Sequence, residues 1–318
     1  MVVNQASGEN WHLMHADSAE ALPDLPSGSI DFSLFSPAFD SLFTYSPSER
    51  DLGNCRNREE FYEQLGYTSR QLLRLLKPGR IMAVHSMDLP TTQTTHGVTG
   101  LSDFTGGLIR HYLYEGFIYH GRITIDRCPQ QLAIRNKAKQ LLFVQMDRDR
   151  SWLSPAFPDY LLLFRAPGVN EVPIRDDSLT REDWIRFARP VWPSDTDDRG
   201  ESIGSSVWYD IRETNTLNVR QAREDADERH VCPLNLDVID RAVRLWCNKG
   251  EVVLSPFAGV GSEGVGAIAL ERKFIGCELK ESYFNTAVSN LQRAEEALRT
   301  PTLFDFEDAS AEEPSPWR

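Results

Sequence analysis

Apolar runs alternate with amphipathic stretches along most of the chain, which predicts strands and helices in turn and hence an α/β sheet protein. Residues 11–17 (WHLMHAD) read as a short strand ending in an acid. In 30–37 (IDFSLFSP) apolar residues fall on both faces, as a central parallel strand requires. Phe61, Leu65, Leu72 and Leu76 then repeat at helical spacing, with Pro78-Gly79 as the stop. Residues 80–87 (RIMAVHSM) read as another buried strand, 105–117 as a helix, and 118–125 and 159–168 as a pair of strands. Periodicity fades from about residue 168 to 230, where Pro, Trp, Asp, Arg and Ser dominate. Trp184, Trp192 and Trp208 mark this stretch as an ordered irregular insertion, because indoles are costly to leave in water. Leu236, Ile239, Val243 and Trp246 restore a helical face. Residues 251–298 follow as strand, glycine loop, helix, strand and long helix, the last carrying Tyr283, Ala287, Leu291 and Leu298 on one side. The acidic stretch from residue 300 reads as a loose tail.

Composition narrows the function classes. The 318 residues, 41% hydrophobic, suffice for one large domain or two modest ones with a real core. The net charge of −13 argues against a general nucleic-acid binder, which needs Lys and Arg for phosphates. The charge is uneven, however: residues 119–150 hold seven Lys/Arg against three Asp/Glu, a local basic patch that can still meet DNA. No run approaches the ~18 apolar residues of a membrane span, and the first twenty residues lack the pattern of a secretory signal. Cys55, Cys128, Cys232, Cys247 and Cys277 are scattered without a CxxC pair, so reduced thiols in a cytoplasmic protein are expected and no metal site is.

Two stretches carry chemistry. Gly259, Gly261 and Gly264 form G-x-G-x-x-G between a strand and a helix, where glycines permit a tight turn and close approach of a ligand to the backbone. Glu278 ends the next strand, at the place where an acid accepts hydrogen bonds from ribose hydroxyls. A nucleoside cofactor is the expected ligand; a purely structural strand–turn–helix is the alternative. The second stretch is Ser36-Pro37-Ala38-Phe39, at the end of a buried strand. Ser36 offers a hydroxyl, Pro37 a stiff backbone with a free carbonyl, and Phe39 a flat face. Together they suit an amino group on an aromatic ring, and a base in a duplex reaches such a site only when flipped out. A plain strand-end turn is the competing reading.

The pair, in this order, resembles the DNA amino-methyltransferases, whose catalytic motif is [DNS]-P-P-[YF] and whose cofactor motif is D-P-F-x-G-x-G. Here SPAF comes first and SPFAGVGSEG more than 200 residues later, which is similar to the permuted (beta) class. The stretches FTYSPSERDLGN, VHSMDLPT, WYDIRETNTLNVRQARE and HVCPLNLDVIDRAVRLW look like those of phage and prophage members. The resemblance covers the chain from about Trp11 to Leu298. It implies a Rossmann-like S-adenosylmethionine-dependent methyltransferase fold with circularly permuted motif order and an irregular target-recognition insertion. It implies double-stranded DNA as substrate, S-adenosylmethionine as cofactor, and the cytoplasm of a bacterial or phage-infected cell as location. Homodimerisation, a restriction nuclease partner, and the choice between adenine N6 and cytosine N4 stay open.

By motif, Ser36, Pro37 and Phe39 are expected to hold the target base. Ser255, Phe257, Gly259 and Gly261 are expected to line the cofactor, Glu278 to bind its ribose, and Asp17 to lie near its adenine. Asp51, Asn54 and Asp88 recur in polar loops without an assigned role. Arg135, Lys137 and Lys139 are candidate phosphate contacts; Trp208 and Arg212 serve either DNA contact or internal packing. The expected organisation is a catalytic half (1–127), a target-recognition region (128–225, interrupted by a strand near 159–165), a cofactor half (226–299) and the tail (300–318). Two positions depart from the family. Ala38 replaces a proline and frees the preceding residue, and Ser255 replaces an aspartate that meets the cationic amino-acid end of the cofactor. A protein that keeps the fold for DNA binding without catalysis is therefore the alternative reading. No cysteine follows a proline in the catalytic loop, so a C5-cytosine route has no support.

Overall fold

A computed structural model describes residues 2–40, 46, 48–128, 132, 141, 146–175, 179–192, 211–212, 214–218 and 233–299. Among them one large sheet runs, edge to edge, through β1 (Asn4–Ser7), β2 (Trp11–His15), β11 (Lys273–Glu278), β10 (Val252–Ser255), β3 (Ile30–Phe35), β4 (Leu76–Met87), β8 (Asp159–Arg165), β7 (Ile118–Ile125) and β9 (Val191–Trp192). A small hairpin pairs β5 (Leu89–Thr91) with β6 (Gly100–Ser102), and the short α3 (Gln93–His96) lies between them in the chain. The five strands β2, β11, β10, β3 and β4 are mutually parallel, and β8 runs antiparallel to both β4 and β7. Thus β10 and β11, from the end of the chain, slot between β2 and β3, from its beginning.

Both faces of the sheet are covered. Ile81 and Ala83 of β4 point into one core with Val238, Ile239 and Val243 of α6 (Leu236–Trp246) and Leu291 of α8 (Glu281–Arg299). Met82 and Val84 point into the other, with Phe61, Leu65 and Leu72 of α2 (Arg58–Leu75) and Phe104 and Leu108 of α4 (Phe104–Tyr114). Successive side chains on a strand alternate in direction, so burial on both faces explains the unbroken apolar run.

Two local expectations change. Helix α2 ends at Leu75, before Pro78-Gly79, because Leu76 is already extended and pairs with Ile30. Within 168–230, residues 181–187 form α5 (Arg181–Phe187), closed by a capping box between Thr180 and Asp183. Trp192 is fully buried, its indole N–H donating to the Phe187 carbonyl at 3.1 Å, whereas Trp184 is half exposed and does not anchor the segment. Cys128, Cys247 and Cys277 are buried, and no disulfide joins them to one another.

The two ends of the chain are also joined electrostatically, at the edge of the sheet where β3 and β10 begin. Arg80, 1% exposed, makes a two-pronged bond to Glu251 at 2.9 and 2.5 Å, and lies 3.6 Å from Asp31. Asp31 in turn accepts from Lys77 at 2.6 Å and from the Val252 amide at 3.1 Å. Burial pushes the Glu251 carboxyl up, but hydrogen bonds from Arg80 and Asn248 outweigh it and hold it below the usual range. Removing one partner of such a cluster strands the others' charge in the protein. Arg80→Met should therefore destabilise the fold by about 3–5 kcal/mol in denaturant unfolding. A loss under about 1 kcal/mol would show that the cluster does not tie the halves together.

Candidate active site

Parallel strands release their loops at the same edge, and ligands of open α/β sheets bind where strand order reverses. Here that place lies between β10 and β3, whose registers pair Val253 with Phe32 and Leu254 with Ser33. The chain leaves β10 toward β11 on one side, while β3 leads to β4 on the other. The glycine loop and the SPAF loop, remote in sequence, therefore emerge side by side. One cavity receives both: Ser36, Pro37, Ala38 and Phe39 line it together with Asp17, Phe257, Gly259 and Glu278.

On the glycine side, Gly259 and Gly261 hold φ of +54° and +87°, a left-handed geometry that side chains disfavour. Gly261 starts α7 (Ser262–Ala269). Gly264 serves packing instead, since a Cβ there would come within 2.5 Å of Leu291 and 2.6 Å of Phe274. Glu278 ties this loop to the end of β11: its two oxygens accept from the amides of Gly259 and Lys280, each at 2.8 Å. Burial drives its carboxyl up to about 7, against the pull of those amides. Asp17 caps α1 (Ser18–Ala21) by accepting from the Ala19 amide at 2.9 Å, and lies 3.8 Å from Arg50. Ser255 is fully buried at the end of β10, just behind the cavity, and its hydroxyl has no partner among the described residues. The Ser262 hydroxyl, on the far stem of the same loop, lines the cavity and is likewise unpartnered among them.

On the SPAF side the structure adds residues that motif reading passed over. Ser36 Oγ lies 2.9 Å from His85 Nδ1, and His85 Nε2 lies 3.1 Å from Asp159 Oδ2. Arg127 lies 3.5 Å from the same carboxylate oxygen. All four residues line the cavity. The sheet register makes this line: Met87 pairs with Asp159 across β4 and β8, which puts Asp159 diagonally opposite His85 on the same face. A carboxylate only accepts, so His85 Nε2 carries the proton toward Asp159. In neutral His85, Nδ1 is then the acceptor and the Ser36 hydroxyl donates to it. The lone pairs of Ser36 Oγ are left to accept from a ligand. Phe39 stands edge-on to His85 and to Phe104, each with ring centres 6.2 Å apart. The loop leaves through Asp40 at φ +51°, held in that strained geometry by Arg58 at 3.0 Å.

Other candidates take different places. Asp51 is buried and lines the cavity, accepting from the amides of Ser46 at 2.5 Å and Gly53 at 2.9 Å. Asn54 donates to the carbonyls of Ser46 and Ser48, and Asp88 accepts from the Thr105 amide. Arg212 forms a two-pronged ion pair with Asp237 at the start of α6, at 2.6 and 3.1 Å, docking Ile211 and Thr216 onto the cavity rim. Arg135, Lys137, Lys139 and Trp208 lie outside the described residues. Among the described residues no group of three His, Cys, Asp or Glu is placed to hold a metal, and no helix is long and apolar enough to cross a membrane.

Comparison with known proteins agrees with this architecture. A DNA methylase family model for N6 and N4 enzymes matches residues 30–289. Type II methyltransferase M.BglI of Bacillus subtilis is 28% identical over 134 residues, covering 42% of this chain and 30% of that protein. The chain thus aligns with less than a third of M.BglI, but with 84% of Type II methyltransferase M.HindIII of Haemophilus influenzae, at 22% identity over 89% of this chain. A Thermus thermophilus protein described as a DNA modification methylase, solved with S-adenosyl-L-methionine, superposes with a TM-score of 0.61 at 22% identity, covering 88% of this chain and 92% of that one. The fold is accordingly the α/β Rossmann-like fold of that methylase. With the family model spanning most of its length, the chain belongs to the N6/N4 DNA methylase family.

Proposed function

We propose that this chain is an S-adenosylmethionine-dependent DNA methyltransferase acting on an exocyclic amino group, adenine N6 or cytosine N4, of a base flipped from the duplex. The observation that carries this reading is the convergence of the SPAF loop and the glycine loop on one cavity. The cofactor end fits its ligand: a glycine cradle, an acid at the end of β11, and two buried hydroxyls without partners among the described residues. When bound, the cofactor supplies an electrophilic methyl group on a sulfonium.

The chain's own residues would do the rest. Phe39 gives the base a face. Ser36 Oγ accepts from the amino group and orients its lone pair for in-line attack, much of the catalysis coming from positioning. The amine gains the methyl group and must lose one proton. That proton passes to Ser36 Oγ as the Ser36 proton moves to His85 Nδ1, and Asp159 stabilises the imidazolium. No covalent bond to the protein is needed. The catalytic motif preceding the cofactor motif supports the permuted class, and likeness to phage and prophage members is carried by sequence motifs. In this reading 1–127 and 226–299 are halves of one catalytic domain, and 128–225 reads the target.

The test is incubation with unmethylated duplex DNA, single-stranded RNA and a protein extract, each with methyl-labelled S-adenosylmethionine. Label should enter the duplex DNA. No label in any substrate, together with no cofactor binding by calorimetry, would favour the non-catalytic alternative raised by Ala38 and Ser255.

A further inference from the structure

The cofactor cavity contains an acid that the mechanism above does not use. Glu263, in the first turn of α7, is 4% exposed and lines the cavity. It makes no ion pair with any Lys, Arg or His among the described residues. The charged group acting on it is another acid, Glu278, whose oxygens are already engaged by two amides. The cations along the same wall have partners of their own. Arg50 pairs with Glu20 and Asp17, Arg127 with Asp159, and the Lys280 ammonium stands over the Tyr283 ring at 4.8 Å.

A buried carboxyl without a cation is expensive when ionised. Burial first, and then Glu278, push Glu263 up to about 8, so that its protein surroundings alone hold it largely protonated near neutrality. A ligand bringing a positive charge to this wall would remove that penalty. Ser255, at the opposite stem of the same loop, offers only a neutral hydroxyl, unpartnered among the described residues. A neutral hydrogen bond is roughly half as strong as a charge-assisted one.

Building on the cofactor assignment above, we propose that Glu263 is the carboxylate that receives the ammonium of the S-adenosylmethionine amino-acid end, supplying from α7 the charge that Ser255 does not supply from β10. The loop then keeps one carboxylate for the ribose, Glu278, and one for the amino-acid end, Glu263, on its two flanks. It also follows that Ser255 does not mark an inactive cofactor site.

Calorimetry on the whole chain, without DNA, tests this with three ligands. These are S-adenosylmethionine, its decarboxylated analogue, which keeps the ammonium, and 5′-methylthioadenosine, which lacks the amino-acid end. Glu263→Gln should weaken the first two by at least tenfold and leave 5′-methylthioadenosine within about twofold. Adding Ser255→Asp to Glu263→Gln should recover most of the loss. Equal weakening of all three ligands, or none, would overturn the assignment. So would weakening of S-adenosylmethionine with the decarboxylated analogue spared, because Glu263 would then meet the carboxylate. If the unaltered chain binds none of the three, the cofactor reading itself fails, and this inference falls with it.

Discussion

Asp159→Asn should slow single-turnover methyl transfer by roughly 10²- to 10⁴-fold while leaving cofactor affinity within about twofold, the range expected when a positioned proton acceptor is lost. Asp159 Oδ2 serves both His85 Nε2 and Arg127. An asparagine oxygen at that position can still accept from both, so the His85 tautomer and the accepting role of Ser36 are kept. The charge is lost: the imidazolium formed when His85 takes the Ser36 proton no longer faces a carboxylate, and a neutral acceptor bonds it roughly half as strongly. A rate within fivefold of the unaltered chain would mean that Ser36 acts without the His85–Asp159 pair behind it.

Glu278→Gln should weaken S-adenosylmethionine by about 2–3 kcal/mol, roughly 30- to 150-fold in Kd. A glutamine cannot accept from both the Gly259 and Lys280 amides, so the substitution loosens the loop as well as the ribose contact. The unaltered chain should also bind less tightly as pH falls below about 7. The ionised Glu278 is the form that accepts from ligand hydroxyls, and its carboxyl is raised to about 7 by burial. For stability the sign is opposite: the cost of ionising this buried acid on folding is absent at low pH, grows from its ordinary value of 4.5, and is complete above about 7. Glu251 works the other way, contributing stability above the ordinary carboxylate range that is lost as the pH drops through its lowered value. Isothermal titration between pH 6 and 8 checks the binding trend, and a flat profile would remove Glu278 from the ribose site.

The parts of this site that were legible in sequence are those written in consecutive residues. SPAF and SPFAGVG each carry their geometry locally, in a proline, two left-handed glycines and a strand end. The buried strands were legible because burial on both faces leaves an unbroken apolar run. His85 and Asp159 were not, since each is a single polar residue bordering an apolar strand, and only antiparallel register brings them together. The one available signal was polarity at a buried strand position in RIMAVHSM. Glu263 was hidden differently: it sits among the motif glycines, and its meaning depends on burial and on what is not beside it. Arg212, a candidate for either DNA contact or packing, is engaged with Asp237, a contact that spacing alone could not show.

Whether a Ser36-centred site methylates an amino nitrogen is decided by nucleoside analysis after a labelled reaction on unmethylated duplex DNA. Label is expected in N6-methyldeoxyadenosine or N4-methyldeoxycytidine, and is lost on Ser36→Ala. Label in 5-methyldeoxycytidine, or transfer undiminished by Ser36→Ala, would contradict it.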